Sequence, residues 1–195
     1  LARLGEELSL AVEGLWMAFQ PIVRHSDRGL FGFEALVRSR HPALETPEEL
    51  LSAAELLQRL GELGRAVHLH VARAAPAAPP DASLFVNLHP WDLRDDALLA
   101  PGSPLASMAR RVVLEITERA SLEHVPDLRP RIDALRRLGF RIAVDDLGAG
   151  YAGLSCIADL KPDVVKVDMS LVRGVDFDPT RHRLVRAISE PCGQL

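Results

Sequence analysis

The chain has 195 residues, 48% of them hydrophobic and 26% charged, with 23 Lys and Arg against 27 Asp and Glu for a net charge of −4. An ordinary apolar fraction without low-complexity tracts excludes a disordered chain, and no apolar run nears the roughly 20 residues of a bilayer span, nor does a signal-peptide pattern open the sequence. A mildly acidic balance with no basic block argues against nucleic-acid polymers, and two cysteines, Cys156 and Cys192, make no disulfide framework and suit a reducing cytoplasm.

The opening stretch, Leu4 to Glu13, places Leu4, Leu8, Ala11 and Val12 on one helical face. It is expected to be a helical lead-in over residues 1–14 to a single domain filling the chain. Leu15 to Val23 reads as a strand with Pro21 near its end, Asp27-Arg28-Gly29 as a turn, and Leu30 to Arg38 as a second strand. The link between them is too short for a crossover helix, so they form a hairpin. Thr46, Pro47 and Glu49 spell a helix start with a capping box. Leu50, Leu51, Ala54, Leu57 and Leu60 follow at helical spacing. Gly61 and Gly64 are expected to interrupt before a second helix over Arg65 to Ala75, which Pro76, Pro79 and Pro80 end. Four apolar strands then alternate with helical stretches: Leu84 to Asn87, Val112 to Ile116, Arg141 to Asp145 and Val164 to Val167. The helices between and after them include Asp127 to Leu138, closed by Gly139, and one beginning near Arg181. Near-continuous apolar strands separated by helices indicate a parallel sheet covered on both faces.

An open doubly wound sheet and a (β/α) barrel both fit that pattern. Glu34, Asn87, Glu115, the Asp145-Asp146 pair and Lys166 stand in or near the C-terminal halves of five different strands. A barrel gathers such ends at one mouth, whereas the outer strands of an open sheet lie too far apart to share a site. The expected fold is therefore α/β, a TIM-type barrel. Such a barrel takes about 250 residues and eight strands, and six strands are legible, so the barrel is expected to be incomplete.

Together these five ends carry four carboxylates, one asparagine and one lysine. Oxygen donors suit Mg²⁺, Mn²⁺ or Ca²⁺ better than Zn²⁺. The adjacent Asp145 and Asp146 suggest two ions sharing one carboxylate, the arrangement that activates water and steadies both oxygens of a phosphoryl displacement. Such carboxylates could not all stay ionised without cations. Taken singly, each residue has a plainer reading, a helix cap for the Asp pair or a structural ion pair for Lys166. Their joint placement at five strand ends favours a site.

In sequence order, Phe19-Gln20-Pro21-Ile22-Val23, Glu34-Ala35-Leu36-Val37-Arg38, Phe85-Val86-Asn87-Leu88, Leu114-Glu115-Ile116-Thr117-Glu118, Asp145-Asp146-Leu147-Gly148-Ala149-Gly150-Tyr151 and Lys166-Val167-Asp168 resemble the motifs of the EAL domain family. The resemblance covers nearly the whole chain. It implies a modified (β/α)₈ barrel whose first strand runs antiparallel, and hydrolysis of the bacterial messenger cyclic di-GMP to linear pGpG with two Mg²⁺ or Mn²⁺ ions. By motif it implies Glu34, Asn87, Glu115 and Asp145 as ligands of one metal, Asp145 bridging to a second held by Asp146, and Lys166 orienting the water. Catalysis would rest on Lys166, Asp146 and Glu34. Gln20, Leu36 and Arg38 would contact the dinucleotide, and Glu118 would anchor the loop Leu147 to Leu154, which in this family couples metal binding to dimerisation. Leu147 stands where the family usually has Phe, and Ala149 and Ala152 where it has Thr or Ser. The family's last two strand–helix units, with a glutamate of the second metal site and a substrate-contacting glutamine, are not found in the 195 residues, which puts the activity of this stretch alone in question.

The implied partners are cyclic di-GMP, a second copy in a homodimer and an upstream sensory or diguanylate-cyclase-like domain. Two other readings remain: a non-catalytic receptor or regulatory member, and a metal-dependent barrel hydrolase with another substrate. His68 and His70 are two apart on a helix and are not expected to form a metal pair. Arg129, Arg131, Arg136, Arg137 and Arg141 read as a solvated face paired with nearby acids, Cys156 as packing, and Trp16 and Trp91 as core or interface.

Overall fold

A computed structural model describes residues 1–118, 122–148 and 153–192. Helix α1, Ala2–Glu13, leads into the hairpin of β1, Trp16–Val23, and β2, Leu30–Arg38. Helices α2, Pro47–Leu56, and α3, Leu60–Ala74, precede β3, Ser83–Asn87. A 3₁₀ turn over Asp92–Arg94, the short α4, Asp96–Leu99, and a second 3₁₀ stretch, Ala106–Arg111, connect to β4, Val112–Thr117. Then come α5, Leu128–Leu138, β5, Arg141–Leu147, α6, Gly153–Leu160, β6, Val164–Val167, α7, Met169–Val172, and α8, Pro179–Cys192.

The six strands form one sheet in sequence order. β1 runs antiparallel to β2, with Gln20 opposite Glu34, and every later pair is parallel. A closed barrel of this type needs eight strands. The sheet is therefore an incomplete (β/α) barrel with an antiparallel first strand, as the sequence leads one to expect, and β1 and β6 are its outer strands.

Strand alternation divides the packing into layers. Val86, Leu114, Ile116, Ile142 and Val144 turn outward into the main core, where Val71, Ile132 and Leu135 of the helices meet them. Phe85, Val113 and Ala143 turn inward and, with Ile22 and Val164, make a small second core. A third cluster joins α1 to α2 and α3 through Leu8, Ala11, Leu50, Ala54 and Leu63. Among the described residues no helix is long and apolar enough to cross a membrane.

The expected capping box is present: the Thr46 hydroxyl accepts from the Glu49 N–H at 3.2 Å and Glu49 accepts from the Thr46 N–H at 3.0 Å. The two glycines expected to break the helix lie inside α3 instead. The interruption falls just before them, at residues 57–59, where Gln58 takes the left-handed φ of 57°. Gly64 is there for room rather than for flexibility, since a Cβ on it would stand 1.9 Å from Asp92 Oδ1. Helix α5 starts one residue later than expected, because Asp127 is itself left-handed at φ 53° and lends no side-chain cap. Trp16 and Trp91, expected as core or interface, are half-exposed, and the Arg94 guanidinium lies 4.1 Å over the Trp91 ring. The arginine face is paired much as expected, Arg129 with Asp159, Arg131 with Asp96 and Arg136 with Asp163. Ala149, Gly150, Tyr151 and Ala152 of the expected loop lie outside the described residues.

Candidate active site at the strand ends

Residues paired across neighbouring strands share a face, and every second residue along a strand returns to it. Glu34 pairs with Phe85, Asn87 with Glu115, Thr117 with Asp145, and Ala143 with Val164, two positions before Lys166. Glu34, Asn87, Glu115, Asp145 and Lys166 therefore stand on one face, above the small core of Phe85, Val113 and Ala143. Gln20, opposite Glu34, belongs to the same face, as do Leu36, opposite Ala18, and Arg38, opposite Trp16.

Lys166 is the hub. Its Nζ lies 2.6 Å from Glu115 Oε1, 2.9 Å from Asp145 Oδ2 and 3.1 Å from Glu34 Oε2. Asn87 Nδ2 approaches Glu34 Oε1 at 3.5 Å, the long limit of a hydrogen bond. Glu115 is 0% exposed, and neither of its oxygens has a hydrogen bond of good geometry among the described residues. The contact with Lys166 is an ion pair by distance alone. Burial drives the Glu115 carboxyl up to about 8; the Lys166 ammonium opposes that rise, while Glu34 and Asp145 add to it. Desolvation also works against the ammonium, but Glu115 and Asp145 together outweigh it and hold its pKa above the ordinary lysine value. These carboxylates thus favour the charged ammonium form of Lys166, a hydrogen-bond donor.

One oxygen each from Glu34, Glu115 and Asp145 falls within 4.8 Å of the others. A divalent cation fits this set on two counts. Three carboxylates share a single ammonium, and a fully buried carboxylate is left without hydrogen bonds, a costly state unless a cation relieves it. The donors are hard oxygens, which suit Mg²⁺, Mn²⁺ or Ca²⁺.

Asp146 departs from the regular strand. Its φ of 55° is left-handed and non-glycine, the pairing of β5 with β6 slips between Val144 and Leu147, and its N–H donates to Asp145 Oδ1 at 2.8 Å. Continuing alternation would put residue 146 under the helices beside Val144, yet Asp146 is exposed. Irregularities of this kind re-aim side chains at functional sites. Behind it, buried Glu118 ties β4 to the outgoing loop: its Oε2 accepts from the Gly148 N–H at 3.1 Å, and its own N–H donates to Asp145 O at 3.0 Å. Gly148 is needed there, with φ 101° and a would-be Cβ 2.1 Å from Leu171 Cδ1. Cys156, buried near Glu118, has its thiol pushed up to about 11 by desolvation first and that carboxylate second, which leaves it a packing residue as expected.

The EAL domain model matches residues 6–195 of the chain. The chain belongs to the EAL domain family. Relatives in this family include the cyclic di-GMP phosphodiesterase PA2567 of Pseudomonas aeruginosa, 29% identical over 192 residues that make up 94% of this chain and 33% of that protein. They also include the blue light- and temperature-regulated antirepressor BluF of Escherichia coli, 27% identical over 190 residues, 91% of this chain and 45% of BluF. Among solved structures, BlrP1 of Klebsiella pneumoniae in complex with calcium and cyclic di-GMP superposes with a TM-score of 0.80 at 30% identity, over 93% of this chain and 47% of that one. The chain spans about a quarter of the length of the first curated relatives it matches.

Trp16, read from the sequence as core or interface, is 41% exposed and, opposite Arg38, shares the face of the strand-end site. Hairpin register was the available signal: once Gln20 is set opposite Glu34, Trp16 falls opposite Arg38.

Proposed function

We propose that this EAL domain hydrolyses cyclic di-GMP to linear pGpG with two divalent ions, Mg²⁺ or Mn²⁺. The observation that carries the reading is the buried, hydrogen-bond-poor carboxylate of Glu115 packed with Glu34 and Asp145 around one lysine. Glu34, Asn87, Glu115 and Asp145 would hold one ion, Asp145 reaching also toward a second held by Asp146. Such ions, when bound, supply Lewis acidity that lowers the pKa of water and offsets phosphodiester charge. Lys166, held within 3.1 Å of three carboxylates, presents an ammonium that would donate to the attacking water and orient it. Arg38 donates one N–H to Val37 O at 2.8 Å, and its fork carries further donors for a phosphate. Gln20 and Leu36 on the same face would complete the dinucleotide contact. Glu118 keeps Asp145 and the start of the loop in register with β4, and a homodimer through the segment after Asp146 completes the proposal.

The deciding experiment measures pGpG release with Mn²⁺ by this 195-residue chain and by the full natural gene product that contains it, each against Asp146→Asn. Turnover by either, cut about a thousandfold or more by the substitution, supports the enzyme. Silence from both, with cyclic di-GMP binding still measurable by calorimetry, overturns it. That outcome would establish the second reading, a receptor or regulatory domain, which the antirepressor among the relatives favours.

A further inference from the structure

In the helical layer outside the sheet there is a cavity of about 220 Å³, walled by Arg65, His68 and Leu69 of α3 and by the β3–β4 connection from Asp92 to Leu105. None of its residues belongs to the strand-end site. A cavity of about 150 Å³ is enough to take up benzene, so this one holds a ring with a short polar arm.

The polar part of its wall is unbalanced. His68 is 5% exposed, and its Nε2 is buried without a hydrogen-bond partner among the described residues; the Ser103 hydroxyl is in the same state. Asp92, likewise 5% exposed, accepts from the His89 N–H through Oδ2 at 3.0 Å, but takes part in no ion pair among the described residues. The one cation on the wall, Arg65, is taken by Asp95 at 2.6 Å. Leu69, Leu98, Pro104 and Leu105 supply an apolar remainder.

We propose that this cavity binds a small organic cation, an ammonium group on a compact apolar body, with the Asp92 carboxylate as counter-ion and His68 Nε2 and the Ser103 hydroxyl as further acceptors. An ammonium has three donors and no acceptor, and the wall offers three acceptors with no free cation. A buried carboxylate lacking a counter-ion is costly, and a cationic ligand removes that cost. Burial holds His68 neutral, with a value of about 4, so the imidazole does not repel the ligand. An anion meets Asp92 and Asp95 as like charges, and a neutral alcohol leaves Asp92 uncompensated. The proposal is independent of the phosphodiesterase reading. Through His89, Asp92 also holds the backbone two residues beyond Asn87, so the ligand's counter-ion sits on the loop leaving an active-site strand.

The test titrates benzylamine, with benzyl alcohol as a neutral probe of the same shape, into the chain at about pH 8, followed by amide NMR shifts. We expect saturable shifts around His68, Asp92 and Ala97 with a Kd of about 1 mM, in keeping with so small a ligand, and about tenfold weaker binding of the alcohol. Asp92→Asn keeps the shape and should abolish the preference for the amine. Ala97→Trp, at an exposed rim position, should block both probes without changing the melting temperature, and it decides the matter even if the first variant fails to fold. Equal affinity for amine and alcohol, shifts that persist in Ala97→Trp or gather around Glu34 and Glu115, or no saturation by roughly 20 mM would each overturn the proposal.

Discussion

Two groups of buried ionisable residues lie on either side of this sheet and settle their charge in opposite ways. At the strand ends Glu34, Glu115 and Asp145 surround the Lys166 ammonium. In the outer layer Asp92 takes part in no ion pair among the described residues, and desolvation, against a smaller opposing effect of Arg65, drives its carboxyl up to about 7 and, at the neighbouring His68, brings the imidazole down to about 4. Burial charges a similar penalty to both groups. The first sets an ammonium against its carboxylates, which opposes the rise of Glu115 to about 8 and leaves oxygen donors that a divalent cation fits. The second sheds its ions and becomes sensitive to protons and to any ligand that brings a charge with it.

The sharpest way to break this contrast is to remove the cation. Lys166→Met keeps the chain length and leaves three carboxylates facing one another, with Glu115 fully buried. Taking one partner from a buried pair costs about 3–5 kcal/mol, and we expect a loss of that order in urea unfolding with EDTA present. Saturating Mn²⁺ should restore most of it by mass action, because the oxygen donors regain a counter-charge. If the proposed function holds, cyclic di-GMP turnover should stay lost, since the ammonium proposed to orient the water is gone. A variant as stable as the parent in EDTA would show that the cluster already carries protons in place of charges, and the contrast would collapse.

The outer pair makes a prediction in pH. Asp92 has its value raised from 3.8 to about 7, so folding takes up a proton between those values, and its contribution to stability falls as pH rises through that window. His68 is lowered from 6.5 to about 4; folding releases a proton there, and its contribution rises over nearly the same window. In the parent the two slopes largely cancel. His68→Gln should therefore give a chain that, relative to the parent, loses roughly 3 kcal/mol from about pH 4 to pH 7, while Asp92→Asn gains a similar amount. Urea unfolding across that range reads both. Curves parallel to the parent's would mean that neither group titrates abnormally.

A smaller effect tests the packing that buries Asp92. Alanine in place of a helix-interior glycine ordinarily gains about 1 kcal/mol, but at Gly64 the new methyl would land 1.9 Å from Asp92 Oδ1. Gly64→Ala should thus cost about 1–2 kcal/mol. In an Asp92→Ala background the same change should turn stabilising. A cost that survives in that background would place the clash elsewhere.

Those two regions also differ in how legible they were. The position of polar residues at strand ends gathers Glu34, Asn87, Glu115, Asp145 and Lys166 at one mouth from the sequence alone, because a barrel converts sequence position into spatial position. Thr46, Pro47 and Glu49 announced α2 for a similarly local reason. The outer cavity gave no such sign. Gly64 reads as a helix breaker in the sequence, since its use is the space it leaves for a carboxylate 28 residues further on, and nothing local singles out Asp92. Its burial follows from the seating of the β3–β4 connection on α3, a tertiary fact without local periodicity. Asp146 lies between these cases: the sequence named it, but its left-handed turn, which removes it from strand alternation, is visible only in the fold.

The weakest effect sets the scale for the others. Arg129 Nη2 meets Asp159 Oδ1 at 3.0 Å, about the separation of Lys166 from Glu34, yet its side chains are 67% and 49% exposed against 25% and 19%. Water screens the outer pair at both ends, and two long side chains lose rotamer freedom to hold one geometry. Arg129→Ala should therefore cost no more than about 0.5 kcal/mol in urea unfolding, and even that should fade in roughly 0.5 M salt, where exposed charges a few ångströms apart are already largely screened. The Lys166 loss should persist in the same salt, because ions do not reach a carboxylate that is fully buried. Equal salt sensitivity of the two variants would mean that distance, not burial, sets the strength of ion pairs in this domain.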